Sequence, residues 1–221
     1  MKEQFDKIFR KEQEFDEAVE EIFAVVENEN DPTTRNIKVQ ELISKVKRAY
    51  IGAHYDAITD ALTGCFNKKH IKEMYHHQYA AAKRNNQYFS LAAIDIDYLK
   101  YVNDTFGHAT GDEVIKNIAD KITKSVREND LIFRYGGDEF VLFCLHNNKA
   151  GMKKVSSRIH EEISGLKIIK NYVPSVTIGY TTTKPSGKDN IAYADLFKEA
   201  DEMLYQEKHS RKSPDFIVKS H

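Results

Sequence analysis

Two adjacent carboxylates, Asp138 and Glu139, follow two glycines in the run Arg134-Tyr135-Gly136-Gly137-Asp138-Glu139-Phe140. Apolar stretches flank it, Leu131-Ile132-Phe133 before and Val141-Leu142-Phe143-Cys144-Leu145 after. The pattern predicts two strands joined by a tight hairpin at Gly136-Gly137, where φ > 0 is needed and no side chain can intrude. Negative charge concentrated at such a tip is costly unless a cation neutralises it. Hard divalent ions such as Mg²⁺ take oxygen ligands, typically one or two carboxylates together with substrate phosphates. The chemistry expected here is therefore metal-assisted work on a phosphate-bearing substrate.

Other segments fall at telling distances from this hairpin. Asp60-Ala61-Leu62-Thr63-Gly64-Cys65-Phe66-Asn67 resembles the D-x-L-T-G-L-x-N opening of the GGDEF family, the diguanylate cyclases, with Cys65 in place of the usual leucine. Ile94-Asp95-Ile96-Asp97-Tyr98-Leu99-Lys100-Tyr101-Val102-Asn103-Asp104 resembles that family's first strand and phosphate loop. His108, Gly111-Asp112, and Ala200-Asp201-Glu202-Met203-Leu204-Tyr205 with Lys208 follow in the same register. The resemblance runs from about residue 57 to the C-terminus. It implies condensation of two GTP into cyclic di-GMP with release of two pyrophosphates.

By that resemblance Asp95, the Ile96 carbonyl, Asp138 and Glu139 hold Mg²⁺ or Mn²⁺, two ions per active site. Asp138 or Glu139 helps deprotonate the 3′-hydroxyl, and which of them does so stays open. The segment Ile96–Leu99, with Tyr98 and Leu99 nearest the helix, offers backbone amides to phosphate, as helix N-termini do, and Lys100 and Lys208 add positive charge. Lys212 stands where the family usually has arginine, which keeps the charge without the bidentate fork. Asn103 and Asp112, with His108 nearby, match the pair that reads guanine. A carboxylate at 112 accepts from both guanine N1–H and the exocyclic amine, a donor pair that adenine lacks. Arg127 and Asp130 form an R-x-x-D string that coincides with the family's product-inhibition site, although such strings are often surface ion pairs.

These groups need elements to position them. Strands are expected at Phe89–Ile94, 131–145 as a hairpin, Pro174–Thr181 and Phe216–Val218. Helices are expected at Gly111–Val126, from about Ala150 to Ile163, and at Tyr193–Glu207. The order βαββαβ predicts an α+β, ferredoxin-like or palm-type domain with a central, mostly antiparallel sheet and flanking helices. Upstream, Phe5, Ile8, Phe15, Val19, Ile22 and Val26 form a heptad-like stripe interrupted at Glu12. Asn28–Thr34 breaks it, and Ile37, Leu42, Ile43, Val46, Tyr50, Ala53 and Ala57 resume the periodicity. Residues 1–57 are thus expected to form a helical hairpin ahead of the catalytic domain at 58–221. Two lone helices bury little core, so the hairpin either caps its own domain or pairs with a second copy as a four-helix bundle. The homodimer is preferred, because the implied reaction needs two catalytic domains.

The 221 residues carry a formal net charge of −1, which gives no global attraction to nucleic acid or anionic membrane. Two cysteines make no disulfide framework, and no apolar run reaches a membrane span. A charged N-terminus without an apolar h-region argues against secretion, so a cytoplasmic protein is expected. His70, His76 and His77 near Cys65 raise the thought of zinc, but their spacing suits a solvated helix face better. Lys68-Lys69 is read as serving helix solubility. The rival to catalysis is a GTP- or cyclic di-GMP-binding signalling module, and a cyclase with a mixed product is disfavoured by Asp112.

Overall fold

The described residues of the computed structural model are 17–210 without 18, 27, 146, 170, 171, 188 and 189, with backbone alone over 46–56. Phe5, Ile8, Glu12 and Phe15 of the first stripe, the strand expected at Phe216–Val218, and Lys212 lie outside them, as do the side chains of Val46, Tyr50 and Ala53. The chain divides into two compact units, Met1–Thr59 and Asp60–His221.

In the first unit α1 occupies described positions within 17–28, and α2 spans Pro32–Ile58. Asp31 starts α2: its carboxylate accepts from the Thr34 amide at 2.7 Å, and Pro32 takes a position where no N–H is needed. Glu29 pairs with Lys38 near the turn and Glu21 with Lys45 further from it, so the two helices run antiparallel. Val19, Ile22 and Val25 are half-buried, whereas Val26 is exposed. The stripe therefore turns inward through Val25 instead of the expected Val26.

The second unit is built on a five-stranded sheet in the order β1-β3-β4-β2-β5. Its strands are β1 Phe66–Asn67, β2 Phe89–Ile96, β3 Leu131–Gly136, β4 Glu139–Leu145 and β5 Val176–Thr183. Only β1, beside β3, is parallel to its neighbour. Helices α3 (Ile71–Arg84), α4 (Leu99–Phe106), α5 (His108–Lys124), α6 (Lys149–Ser164) and α7 (Tyr193–Ser210) cover it. All eight residues of β2 are buried, and strand alternation sorts them by face. Phe89, Leu91 and Ala93 pack with α3 and α7, while Ala92, Ile94 and Ile96 pack with α4, α5 and α6. The βαββαβ order holds, with the short β1 added at one edge. Gly107, at φ +85°, breaks the chain between α4 and α5, so the helix expected from Gly111 begins at His108.

One expectation fails at the hairpin. Among the described residues the positive-φ glycines are Gly64, Gly107 and Gly187, and neither Gly136 nor Gly137 is among them. The turn closes between Gly136 and Glu139, and a register shift between Arg134 and Gly136 supplies the bend. A bulge at Tyr135 twists the ribbon enough that no left-handed residue is required.

Candidate active site

The sheet brings the carboxylates together by register and by parity. Asp95 on β2 lies directly opposite Glu139 on β4. Both follow the alternation of Phe89, Leu91 and Ala93 or of Val141 and Phe143, which puts them on the face covered by α7. The Ile96 amide donates to the Asp138 carbonyl at 3.0 Å, pinning the hairpin tip to the end of β2. A glycine then lets α7 close in. A Cβ on Gly179 of β5 would stand 2.2 Å from the Ala200 carbonyl and from the Leu204 amide, so helix backbone rests on strand backbone. One turn beyond Leu204, Lys208 Nζ reaches 2.6 Å from Asp95 Oδ1.

Burial pushes the Asp95 carboxyl above its ordinary range, Lys208 pulls it back, and the charges of Asp138 and Asp97 push it up again, leaving it raised. A buried carboxylate that is costly to ionise, facing a second carboxylate in register, suits a cation with oxygen ligands. Among the described residues no three His, Cys, Asp or Glu side chains already converge as a metal cluster. Lys208 supplies positive charge at Asp95. Asp97, by contrast, is structural: the Ser175 and Thr177 hydroxyls donate to its two oxygens at 2.7 and 2.6 Å.

After β2 the chain turns through Tyr98 in the left-handed region (φ 59°) and enters α4 with no side-chain cap. Two amides of the expected phosphate loop are already committed, Ile96 to the Asp138 carbonyl and Asp97 to the Ser175 carbonyl at 2.9 Å. Lys100 is exposed in the first turn of α4. Asn103 meets α5 at Gly111, where an added Cβ would stand 1.8 Å from Asn103 Oδ1. Glycine at 111 is what leaves room for that amide. Asp112 and His108 are exposed on the first turns of α5.

The R-x-x-D string is not an ion pair. Asp130 is buried and accepts the Arg127 amide at 2.9 Å on one oxygen and the Leu145 amide at 3.3 Å on the other. Arg127 is exposed. His76 and His77 are exposed as expected of a solvated face, and His70 instead meets the Asn67 side chain at 3.1 Å. Lys68 does more than aid solubility, since its ammonium lies 3.7 Å from the Tyr135 ring centre. Sequence reasoning assigned no role to Arg134 or Gly179. Arg134 carried a signal, its place inside the hairpin motif; Gly179 carried none.

The family described as "Diguanylate cyclase, GGDEF domain" matches residues 57–214, and the chain belongs to it. Among curated proteins, the response regulator PleD of Caulobacter vibrioides is 34% identical over 197 residues, covering 82% of this chain and 43% of PleD. Diguanylate cyclase DgcP of Escherichia coli is 30% identical over 182 residues, covering 80% of this chain and 52% of DgcP. The chain thus spans about half the length of these relatives, or less. Among solved structures, the GGDEF domain of DgcB from Caulobacter crescentus in complex with c-di-GMP superposes with a TM-score of 0.64 at 29% identity, over 71% of this chain and 92% of that one. Diguanylate cyclase SiaD from Pseudomonas aeruginosa, solved with its activator SiaC, gives 0.65 at 26% identity, over 93% and 81%. No helix among the described residues is long and apolar enough to cross a membrane.

Proposed function

We propose that this chain is a diguanylate cyclase: two GTP give cyclic di-GMP and two pyrophosphates. The 3′-oxygen of each GTP bonds to the α-phosphorus of the other, the bond to pyrophosphate breaks, and the 3′-proton leaves. The observation that carries this is the sheet end itself, where Asp95 faces Glu139 in register and the Asp138 carbonyl is bonded to the Ile96 amide. Asp95, Ile96, Asp138 and Glu139 would hold two divalent ions, Mg²⁺ or Mn²⁺. Such ions neutralise triphosphate charge and stabilise the attacking and leaving oxygens.

The chain's own groups do the rest. Tyr98, Leu99 and Lys100 take the phosphates at the uncapped start of α4. Lys208 turns from Asp95 toward the triphosphate, and Lys212 adds a second positive charge. Asn103, seated against Gly111, reads guanine with Asp112 and His108. Arg127 grips a product phosphate beside Asp130, giving product inhibition.

Each catalytic unit, 58–221, holds one half of the reaction. The helical unit, 1–57, would bring two copies together and raise the effective concentration of the second half-site. The exposed Phe23, Val26 and Ile37 of that unit support a partner surface. GTP supply places the reaction in the cytoplasm.

Incubating the purified chain with GTP and Mg²⁺ and separating the nucleotides tests this beside an Asp138→Ala control. Cyclic di-GMP and pyrophosphate are expected, and both vanish in the control. A dimeric protein that gives no product would instead be the non-catalytic GTP- or cyclic di-GMP-binding module.

A further inference from the structure

Beneath the hairpin tip one side chain joins two segments that the sheet does not connect. The Arg134 guanidinium donates through Nε and Nη2 to the Gly137 carbonyl, at 3.3 and 2.8 Å. Its Nη1 lies 3.0 Å from Asp60 Oδ1. That oxygen also accepts the Thr63 amide and the Thr63 hydroxyl, at 3.0 and 2.8 Å. The Asp60–Cys65 loop is closed on itself as well: the Asp60 amide donates to the Cys65 carbonyl, and the Gly64 amide to the Asp60 carbonyl. Asp60 is therefore a fixed post and not a surface partner free to follow the arginine. Burial raises its carboxyl, but the bonds from Thr63 and Arg134 outweigh that and hold it below the ordinary range.

The β2–β4 ladder holds the tip from one side as far as Glu139, but on the β3 side the ladder is broken. The register shift between Arg134 and Gly136 interrupts pairing at Tyr135, just before the turn. Beyond that interruption lie Asp138 and Glu139. We propose that Arg134 is a positioning residue: by tying the Gly137 carbonyl to the Asp60 post, it completes from the β3 side the placement of Asp138 and Glu139 that the β2–β4 pairing begins. The planar fork suits this task, since one guanidinium serves a carbonyl and a carboxylate at once, which an ammonium on a flexible stem does not reproduce. On the other face of the strand Tyr135 is held between Lys68 and the stacked ring of Phe197, so the bulge is braced from both sides. The role rests on the cyclase activity proposed above, but its geometric part can be read without turnover.

The test compares the full chain with Arg134→Met and Arg134→Lys by amide hydrogen exchange and steady-state kinetics. Faster exchange is expected at Ile96, whose amide is bonded to the Asp138 carbonyl, and across 137–139, with Ile94 and Leu142 unchanged. For Arg134→Met kcat should fall about 10- to 100-fold while KM for GTP stays within about threefold. Arg134→Lys should recover part of the loss, because it keeps a charge beside Asp60 without spanning both acceptors. Unchanged exchange at Ile96 together with unchanged kcat would overturn the role. So would loss of protection spread evenly over the sheet, which would make Arg134 an ordinary stabilising residue. If the unmodified chain forms no cyclic di-GMP, the exchange pattern alone decides, and it is the proposed activity that falls.

Discussion

The ribbon of β3 and β4 carries acidic groups at both ends, and the two ends use them in opposite ways. At the open end Asp130 is buried with both oxygens on backbone amides, one of them fifteen residues away at Leu145. At the closed end Glu139 stands exposed, and among the described residues Asp95 opposite it is paired with the ammonium of Lys208. A carboxylate saturated by backbone amides stabilises a turn. One that is desolvated, crowded by like charge and balanced by a long flexible side chain is ready to exchange partners. The residue type is the same; what separates structural from chemical use is where the lone pairs are satisfied.

The sharpest way to break this contrast is at the closed end. Glu139→Gln should lower cyclase turnover on the order of 10²- to 10³-fold, as loss of one preorganised charge does. Its thermal midpoint should hardly move, since the side chain is exposed; a parallel collapse in stability would contradict the contrast. Next in size is Gly179→Ala, which forces α7 off β5. It should cost about 3 kcal/mol in denaturant unfolding and loosen the approach of Lys208 to Asp95. A neutral result would mean that the close approach at Gly179 does not position the helix.

At the open end Asp130→Ala should cost about 2 kcal/mol, because it strands the Arg127 and Leu145 amides. Initial rates per folded molecule should stay the same, measured before product accumulates. A large fall in those rates would erase the distinction between the two ends.

The smallest effect is a difference in pH slope, followed by thermal unfolding of the cation-free protein from pH ~4 to ~7. Asp95 is raised in the fold, so its contribution is present below the ordinary carboxylate pKa and is lost as pH rises through the folded value. Asp60 is depressed, so its contribution is present above the ordinary value and is lost as pH falls through the folded one. Asp95→Asn should therefore remove a component that declines toward neutral pH. If the slopes of the variant and the parent coincide, burial does not govern Asp95.

Much of the layout was legible in the chain. The largely apolar run of β2, the periodicity of α5 and α6, and the two apolar arms around Gly136-Gly137 gave the βαββαβ order, because strand and helix periods are local properties. The glycines of the hairpin were misread. Their tight turn does not use φ > 0, since a bulge at Tyr135 provides the bend and a bulge leaves no signature in composition. Two amides expected for phosphate, at Ile96 and Asp97, were already spent on the Asp138 and Ser175 carbonyls, partners far away in sequence.

By itself the sequence determined the family, most of the elements and the set of residues able to do chemistry, since those depend on residue type, spacing and period. Only the tertiary structure decided how each was employed: Asp130 as a backbone clamp, Asp97 as an anchor for two hydroxyls, Lys208 against Asp95, and Arg134 between Asp60 and the hairpin tip. The physical reason is that a polar atom's role follows from the partners that satisfy it. Those partners come from strand register and from a helix resting on Gly179, which no local stretch of the chain encodes.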